Sequence, residues 1–128
     1  MSDSELNTDE VYFKLSDDIL YLTYKKGVKM TLEKAKLMVE NRLDFTKQLS
    51  YPLLVDDKGL ASMDKEARDF LSSKEGVRGV KAGAILTSSA FNTMLANFFL
   101  KINFVKLIIP AKLFTNKDSA VQWLNGYR

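Results

Sequence analysis

The order of apolar and polar positions divides the chain into short strands and amphipathic helices. Residues 1–10, MSDSELNTDE, hold four acids and little apolar surface, and they read as a flexible acidic arm ahead of one domain over 11–128. Val11–Leu15 and Ile19–Tyr24 are two strand-like runs joined by the polar turn Ser16-Asp17-Asp18, which predicts a hairpin. Lys25–Lys29 reads as a loop, after which Thr31 is a good N-cap. Leu32, Ala35, Met38, Val39, Leu43 and Phe45 then fall mostly on one face of a helix of about 18 residues. Tyr51–Val55 is apolar without alternation, as expected of a strand covered on both faces.

Asp64–Ser73 predicts a short second helix ending near Gly76, and Val80–Leu86 another inner strand. Ser88 or Ser89 caps a third helix running to about Lys101. Val105–Ile109 predicts the next inner strand, interrupted by Pro110, with Lys112–Phe114 as an extension. Asn116 or Asp118 caps a last helix carrying Ala120, Val121, Trp123 and Leu124. A hairpin followed by alternating helices and strands implies parallel pairing through right-handed crossovers. The expected fold is α/β, with a mostly parallel mixed sheet and about four helices.

Composition narrows the chemistry. The chain has neither cysteine nor histidine, which excludes disulfides, thiolate nucleophiles, Cys/His zinc sites and every histidine-based triad. A metal site would need carboxylate and carbonyl oxygens, and no cofactor or metal is expected. No signal peptide pattern and no apolar run of about 18 residues is present, so a cytoplasmic protein without a membrane span is expected. The net charge of +3 conceals an asymmetry: residues 1–75 carry −3, residues 76–128 carry +6, and no acid occurs from Gly76 to Lys117. The basic residues are scattered, so a nucleic-acid partner is not expected.

Ligands of open α/β folds sit at the ends of inner strands. Three such corners can be named: Asp56-Asp57-Lys58-Gly59, Thr87-Ser88-Ser89 and Thr115-Asn116-Lys117-Asp118. Adjacent acids after a strand suit magnesium, and Asp56, Asp57 and Ser88 would carry a phosphate-handling enzyme. Turn formation and helix capping account for the same residues more simply. Gly76-Val77-Arg78-Gly79 has the spacing of an RNA-clamping loop, yet it joins a helix to a strand rather than two helices, so loop geometry is its better account. No phosphate-binding glycine loop follows a strand.

The third helix is unusual because residues 90–100 carry no charge. Phe91, Met94, Leu95, Phe98 and Ile102 form one stripe, and Phe99 extends apolar surface around its side. Such a helix is an enclosed core element, a subunit interface or the wall of an apolar pocket. Surplus apolar surface of this kind predicts a symmetric homodimer, with Phe98 and Phe99 at the centre of the contact.

The string YPLLVDDKGLASMDKEARDF resembles the core of STAS domains, the sulfate-transporter and anti-sigma-factor-antagonist (SpoIIAA-like) fold: a strand ending in Val55-Asp56, a loop, the pair Met63-Asp64 and a short helix. In element order the resemblance spans residues 11–125, and the chain looks like small stand-alone bacterial proteins grouped with STAS and lipid-binding CRAL-TRIO domains. In that family a phosphorylated serine follows the Met-Asp pair, and Lys65 stands there in this chain. Ser62 is not the matching position. The resemblance therefore implies the fold, with the loop of Asp56, Asp57, Lys58, Ser62, Asp64 and Lys65 as a contact region, and it does not carry over the phosphorylation cycle. The resulting expectation is a non-enzymatic regulatory or protein-interaction module with a regulatory protein partner. The alternative is a carrier of a small apolar ligand or lipid, with its pocket under the third helix.

Overall fold

A computed structural model describes residues 4–87 and 108–128. The cleanest alternation in the sequence gives its central hairpin. Val11–Ser16 (β2) pairs antiparallel with Ile19–Tyr24 (β3), Ser16 opposite Ile19. Asp17 (φ 54°) and Asp18 (φ 63°) close the turn in left-handed conformations, as a two-residue hairpin requires. Ser4–Asn7 (β1) adds to the outer side of β2, with Leu6 opposite Phe13. This corrects the expected flexible arm at residues 4–7. The free edge of β2 offers unpaired backbone groups, and an edge strand pairs through them without needing an apolar stripe.

After β3 the segment read as a loop contains a short strand, Val28–Met30 (β4), which pairs parallel with Leu60–Met63 (β6) in a second, two-stranded sheet. Leu32–Phe45 (α1) starts at Thr31, whose hydroxyl accepts from the Lys34 N–H at 3.3 Å. It ends four residues earlier than periodicity suggests, because Lys47 (φ 55°) and Gln48 (φ 66°) turn left-handed and the Gln48 N–H donates back to the Leu43 carbonyl. Tyr51–Asp56 (β5), Lys65–Leu71 (α2) and Val80–Leu86 (β7) follow, then Ala111–Phe114 (β8) and Lys117–Asn125 (α3). Of the two offered caps for α3, Asn116 is the one used: its side chain accepts from the Ser119 N–H at 2.9 Å.

The main sheet has the order β1-β2-β3-β5-β7-β8, antiparallel through β3 and parallel from β3 to β8. The mixed, mostly parallel α/β architecture is therefore as expected. The described residues hold three helices rather than about four, and the additional one was expected at residues 88–101, outside the described residues. The expected extension at Lys112–Phe114 falls in the described strand Ala111–Phe114, while Ile108 and Ile109, expected in the strand before it, are not part of one. Pro110 has no N–H to give to a ladder, so it stands at the strand's entry, where its carbonyl accepts from the Gly83 N–H at 2.9 Å. Ile108 and Ile109 lie before it in a bend, and residues 105–107 are outside the described set.

Two apolar cores flank this sheet. Phe13, Leu20, Leu22 and Met30 pack with Ala35 and Met38 of α1 and Ala67 of α2 on one face. On the other, Ile19, Leu54, Ala82, Ala84 and Leu86 meet Ala120 and Leu124 of α3. The three alanines are fully buried and let α3 approach the sheet closely. Enclosing a side chain such as Leu124 stabilises the fold by about 1.5–3 kcal/mol. No helix among the described residues is long and apolar enough to cross a membrane.

Candidate functional site

The loop after β5 runs along the carboxyl ends of the parallel strands. Asp56, at the end of β5, folds its side chain back to accept from the Lys58 N–H at 3.0 Å, a local turn that fixes the start of the loop. Gly59 then presses against the end of β3: a Cβ there would lie 2.3 Å from the Tyr24 carbonyl oxygen. The Gly27 N–H donates to the Gly59 carbonyl at 2.8 Å, and β6 continues into its pairing with β4. The Asp64 N–H donates to the Met30 carbonyl at 3.0 Å just before α2 begins. The corner from β5 to α2 is thus tied to the β3–β4 segment along its whole length.

This arrangement separates the six loop residues singled out in the sequence. Lys58, Asp64 and Lys65 face solvent, Asp56 and Ser62 are half-buried, and Asp57 is buried at 3% exposure. Lys65 pairs with Asp69 one turn along α2 at 2.8 Å, which holds its ammonium above the ordinary lysine range. Lys65, which the sequence resemblance lays on the phosphoacceptor position of STAS domains, is therefore an exposed, ion-paired side chain.

Asp57 points inward. Its N–H donates to the Leu86 carbonyl at 3.3 Å, which brings the first and second sequence corners together, because Thr87 follows directly. Thr87 is 2% exposed, and neither its hydroxyl nor Asp57 Oδ2 has a hydrogen-bond partner of good geometry. Burial pushes the Asp57 carboxyl above the ordinary carboxylate range, the Thr87 hydroxyl nearby pulls it part of the way back, and the charge of Asp56 adds to the rise. Tyr24, also buried, has its phenol pushed up by burial and by Asp57. Asp56 and Asp57 thus point to different environments rather than converging on one ion. Among the described residues no three carboxylates cluster as metal ligands. Ser88 lies outside the described residues, as do Phe91, Met94, Leu95, Phe98, Phe99 and Ile102.

A cavity of about 120 Å³ opens between α1, α2 and the sheet. Its walls come from Leu22, Met38, Leu53, Val80 and Ile85, with Ile109 ahead of β8. Arg42 is the one charged residue among the described residues that line it. Though an arginine, it is only 4% exposed. Its guanidinium donates to the Gly76 carbonyl at 3.3 Å and to the Arg78 carbonyl, tying the α2–β7 loop to α1. Burial, with a smaller contribution from Arg78, pulls its pKa down to about 10. Sequence reasoning missed Arg42, although the signal was present: Ala35, Met38, Val39, Arg42 and Leu43 are the buried stripe of α1, and a cation interrupts it. Gly76 supports the same loop, since a Cβ there would lie 2.1 Å from the Phe70 carbonyl oxygen.

A hairpin leading into parallel βα units, with a built corner after the strand that precedes α2, is a SpoIIAA-like fold. A solved structure shares it: an uncharacterized protein of the DUF3478 family with a SpoIIAA-like fold from Shewanella loihica PV-4 superposes with a TM-score of 0.56 at 17% identity, covering 96% of this chain and 92% of that one. The STAS-like fold expected from YPLLVDDKGLASMDKEARDF is thereby supported, while nothing in this likeness bears on a CRAL-TRIO relation. The chain belongs to the DUF7793 family, described as a domain of unknown function, whose family model matches residues 13–128. No curated protein matches the sequence.

Proposed function

We propose that the protein is a non-enzymatic regulatory module of STAS-like fold that acts in the cytoplasm by protein contact, through the corner from β5 to α2. The observation that carries this reading is the way the corner is built. Its backbone is fixed by the Gly59 contact and by the β4–β6 pairing, while Lys58, Asp64 and Lys65 project from it into solvent. A preorganised surface binds without losing loop entropy on association, and alternating charges on it select partners by complementarity. Lysine in place of the phosphoacceptor makes the contact constitutive rather than phosphate-controlled. Photo-crosslinkers placed at positions 58 and 65, with one at Leu37 on the exposed side of α1 as control, test it in cells. A discrete adduct from 58 and 65 and none from 37 is expected; identical adduct patterns from all three positions would refute the corner as the contact.

The cavity favours a second reading, a carrier or sensor of a small apolar ligand. Its volume is close to that of cavities that accept a benzene-sized molecule, about 150 Å³. It is bounded on its described sides by α1, α2 and the sheet, and the third helix, under which a pocket was expected, lies outside the described residues.

A further inference from the structure

We propose that the cavity beside Arg42 binds a small apolar monocarboxylic acid, with its carboxylate on the Arg42 guanidinium and its hydrocarbon against Leu53, Val80 and Ile85. The proposal rests on the ligand-binding reading of the cavity and gives it a chemical class.

The argument starts from a charge without a counter-ion. A buried arginine is ordinarily matched by a carboxylate, because removing a guanidinium from water is costly unless an opposite charge and full hydrogen bonding replace the solvent. Arg42 is buried, and its acceptors are two backbone carbonyls, those of Gly76 and Arg78. These use two of the five N–H donors a guanidinium carries, and no carboxylate pairs with it among the described residues. The role of stapling the α2–β7 loop accounts for the two carbonyl bonds but leaves the positive charge uncompensated. Arg78 adds to it: this second cation contributes to the depressed pKa of Arg42, and its own partner, Glu75, stands 3.8 Å away in an exposed pair.

The rest of the lining selects what can complete the pairing. The other polar side chains among the described residues that line the cavity are Tyr24 and Ser72. The Tyr24 phenol stays protonated because burial and Asp57 both oppose its ionisation. The Ser72 hydroxyl lies at 3.0 and 3.2 Å from the Arg68 and Asp69 carbonyls within α2 and is satisfied there. One cation in a described lining that is otherwise mostly apolar suits a monoanion with a hydrocarbon body. A phosphate dianion would need several more donors than these walls provide. Carboxylate also matches the planar fork of arginine, which can meet both of its oxygens. A volume of about 120 Å³ admits a six-carbon chain or a single ring rather than a long-chain lipid.

Isothermal titration of the full chain at neutral pH with hexanoate, and in parallel with 1-hexanol as its uncharged counterpart, tests the proposal. Hexanoate is expected to bind at one site, at least roughly 10-fold more tightly than hexanol, the ratio that one charge-assisted hydrogen-bonded contact supplies. Arg42→Met is expected to abolish that preference while hexanol still binds. Val77→Phe, which fills the cavity from the α2–β7 loop and leaves Arg42 in place, is expected to weaken both ligands. Hexanol binding as tightly as hexanoate to the wild-type protein overturns the carboxylate assignment and leaves the apolar-ligand reading standing. Absence of binding by either at millimolar concentration removes both. Should Arg42→Met fail to fold, the wild-type preference and the Val77→Phe result still decide the matter.

Discussion

Replacing Gly59 by alanine probes the corner on which the contact surface is built. The added Cβ would stand 2.3 Å from the Tyr24 carbonyl oxygen and 2.5 Å from the carbonyl carbon and oxygen of Lys25, where real Cβ contacts do not fall below 3.0 Å. All three atoms are backbone, so no side chain can rotate away. Relief requires the loop and the end of β3 to part by about 0.7 Å, against the Gly27–Gly59 hydrogen bond at 2.8 Å and the Lys25–Glu10 bond at 2.9 Å. Overpacking costs about 1–3 kcal/mol and a lost backbone hydrogen bond about 1 kcal/mol more, so the expected loss is about 2–4 kcal/mol. With a urea dependence of about 2 kcal/mol per molar, the unfolding midpoint moves down by about 1–2 M. Gly27→Ala is the control: φ is +82° there but a Cβ meets nothing within 4 Å, so only the left-handed backbone penalty of about 1 kcal/mol applies. Urea unfolding followed by circular dichroism compares the two. A Gly59→Ala midpoint within about 0.5 M of wild type, or a larger loss in Gly27→Ala, would refute the steric argument.

Phe13 is fully buried and its ring lies 6.1 Å from that of Phe45, so Phe13→Ala should cost about 3–5 kcal/mol in the same unfolding assay; a loss below about 1 kcal/mol contradicts the core assignment. The Asp57 carboxyl is held above its ordinary range in the folded state, so the unfolded chain binds fewer protons between the two values and stability falls as pH rises through that window. Asp57→Asn should flatten this fall and be at least as stable as wild type at neutral pH, as urea midpoints across pH 3.5–7 will show; a steeper decline in the variant has the wrong sign. The uncharged run at residues 90–100 predicts a dimer in light scattering that Phe99→Asp converts to monomer; a monomeric wild type ends that expectation.

How far these features could be read from the sequence depends on whether local pattern or distant contact creates them. The β2–β3 hairpin was legible because alternation and the Asp17-Asp18 turn act within fourteen residues. The helices α1 and α3 were legible through Thr31 and through the choice between Asn116 and Asp118. By contrast β1, with Leu6 as its large apolar residue, exists through the open edge of β2. The strands β4 and β6 exist through each other across some thirty residues, and their three or four positions carry no period of their own. The division of the loop residues was hidden for the same reason: Asp57 turns inward because Leu86 and Thr87 receive it, while its neighbour Asp56 caps the Lys58 N–H. Arg42 was legible as an anomaly on the α1 stripe, but its acceptors, at Gly76 and Arg78, belong to a loop more than thirty residues away.

The claim that this protein works by contact through the β5–α2 corner is tested most directly by affinity isolation with the wild-type chain and with the double variant Lys58→Glu/Lys65→Glu, compared by quantitative mass spectrometry. Both positions are exposed, so the variant should keep the wild-type stability to within about 1 kcal/mol, the loss being that of the Lys65–Asp69 pair and the like-charge contact that replaces it. The account predicts a specific protein retained by the wild type and depleted at least tenfold by the variant. Equal recovery of the same proteins by both chains, or no specific protein with either, would contradict it.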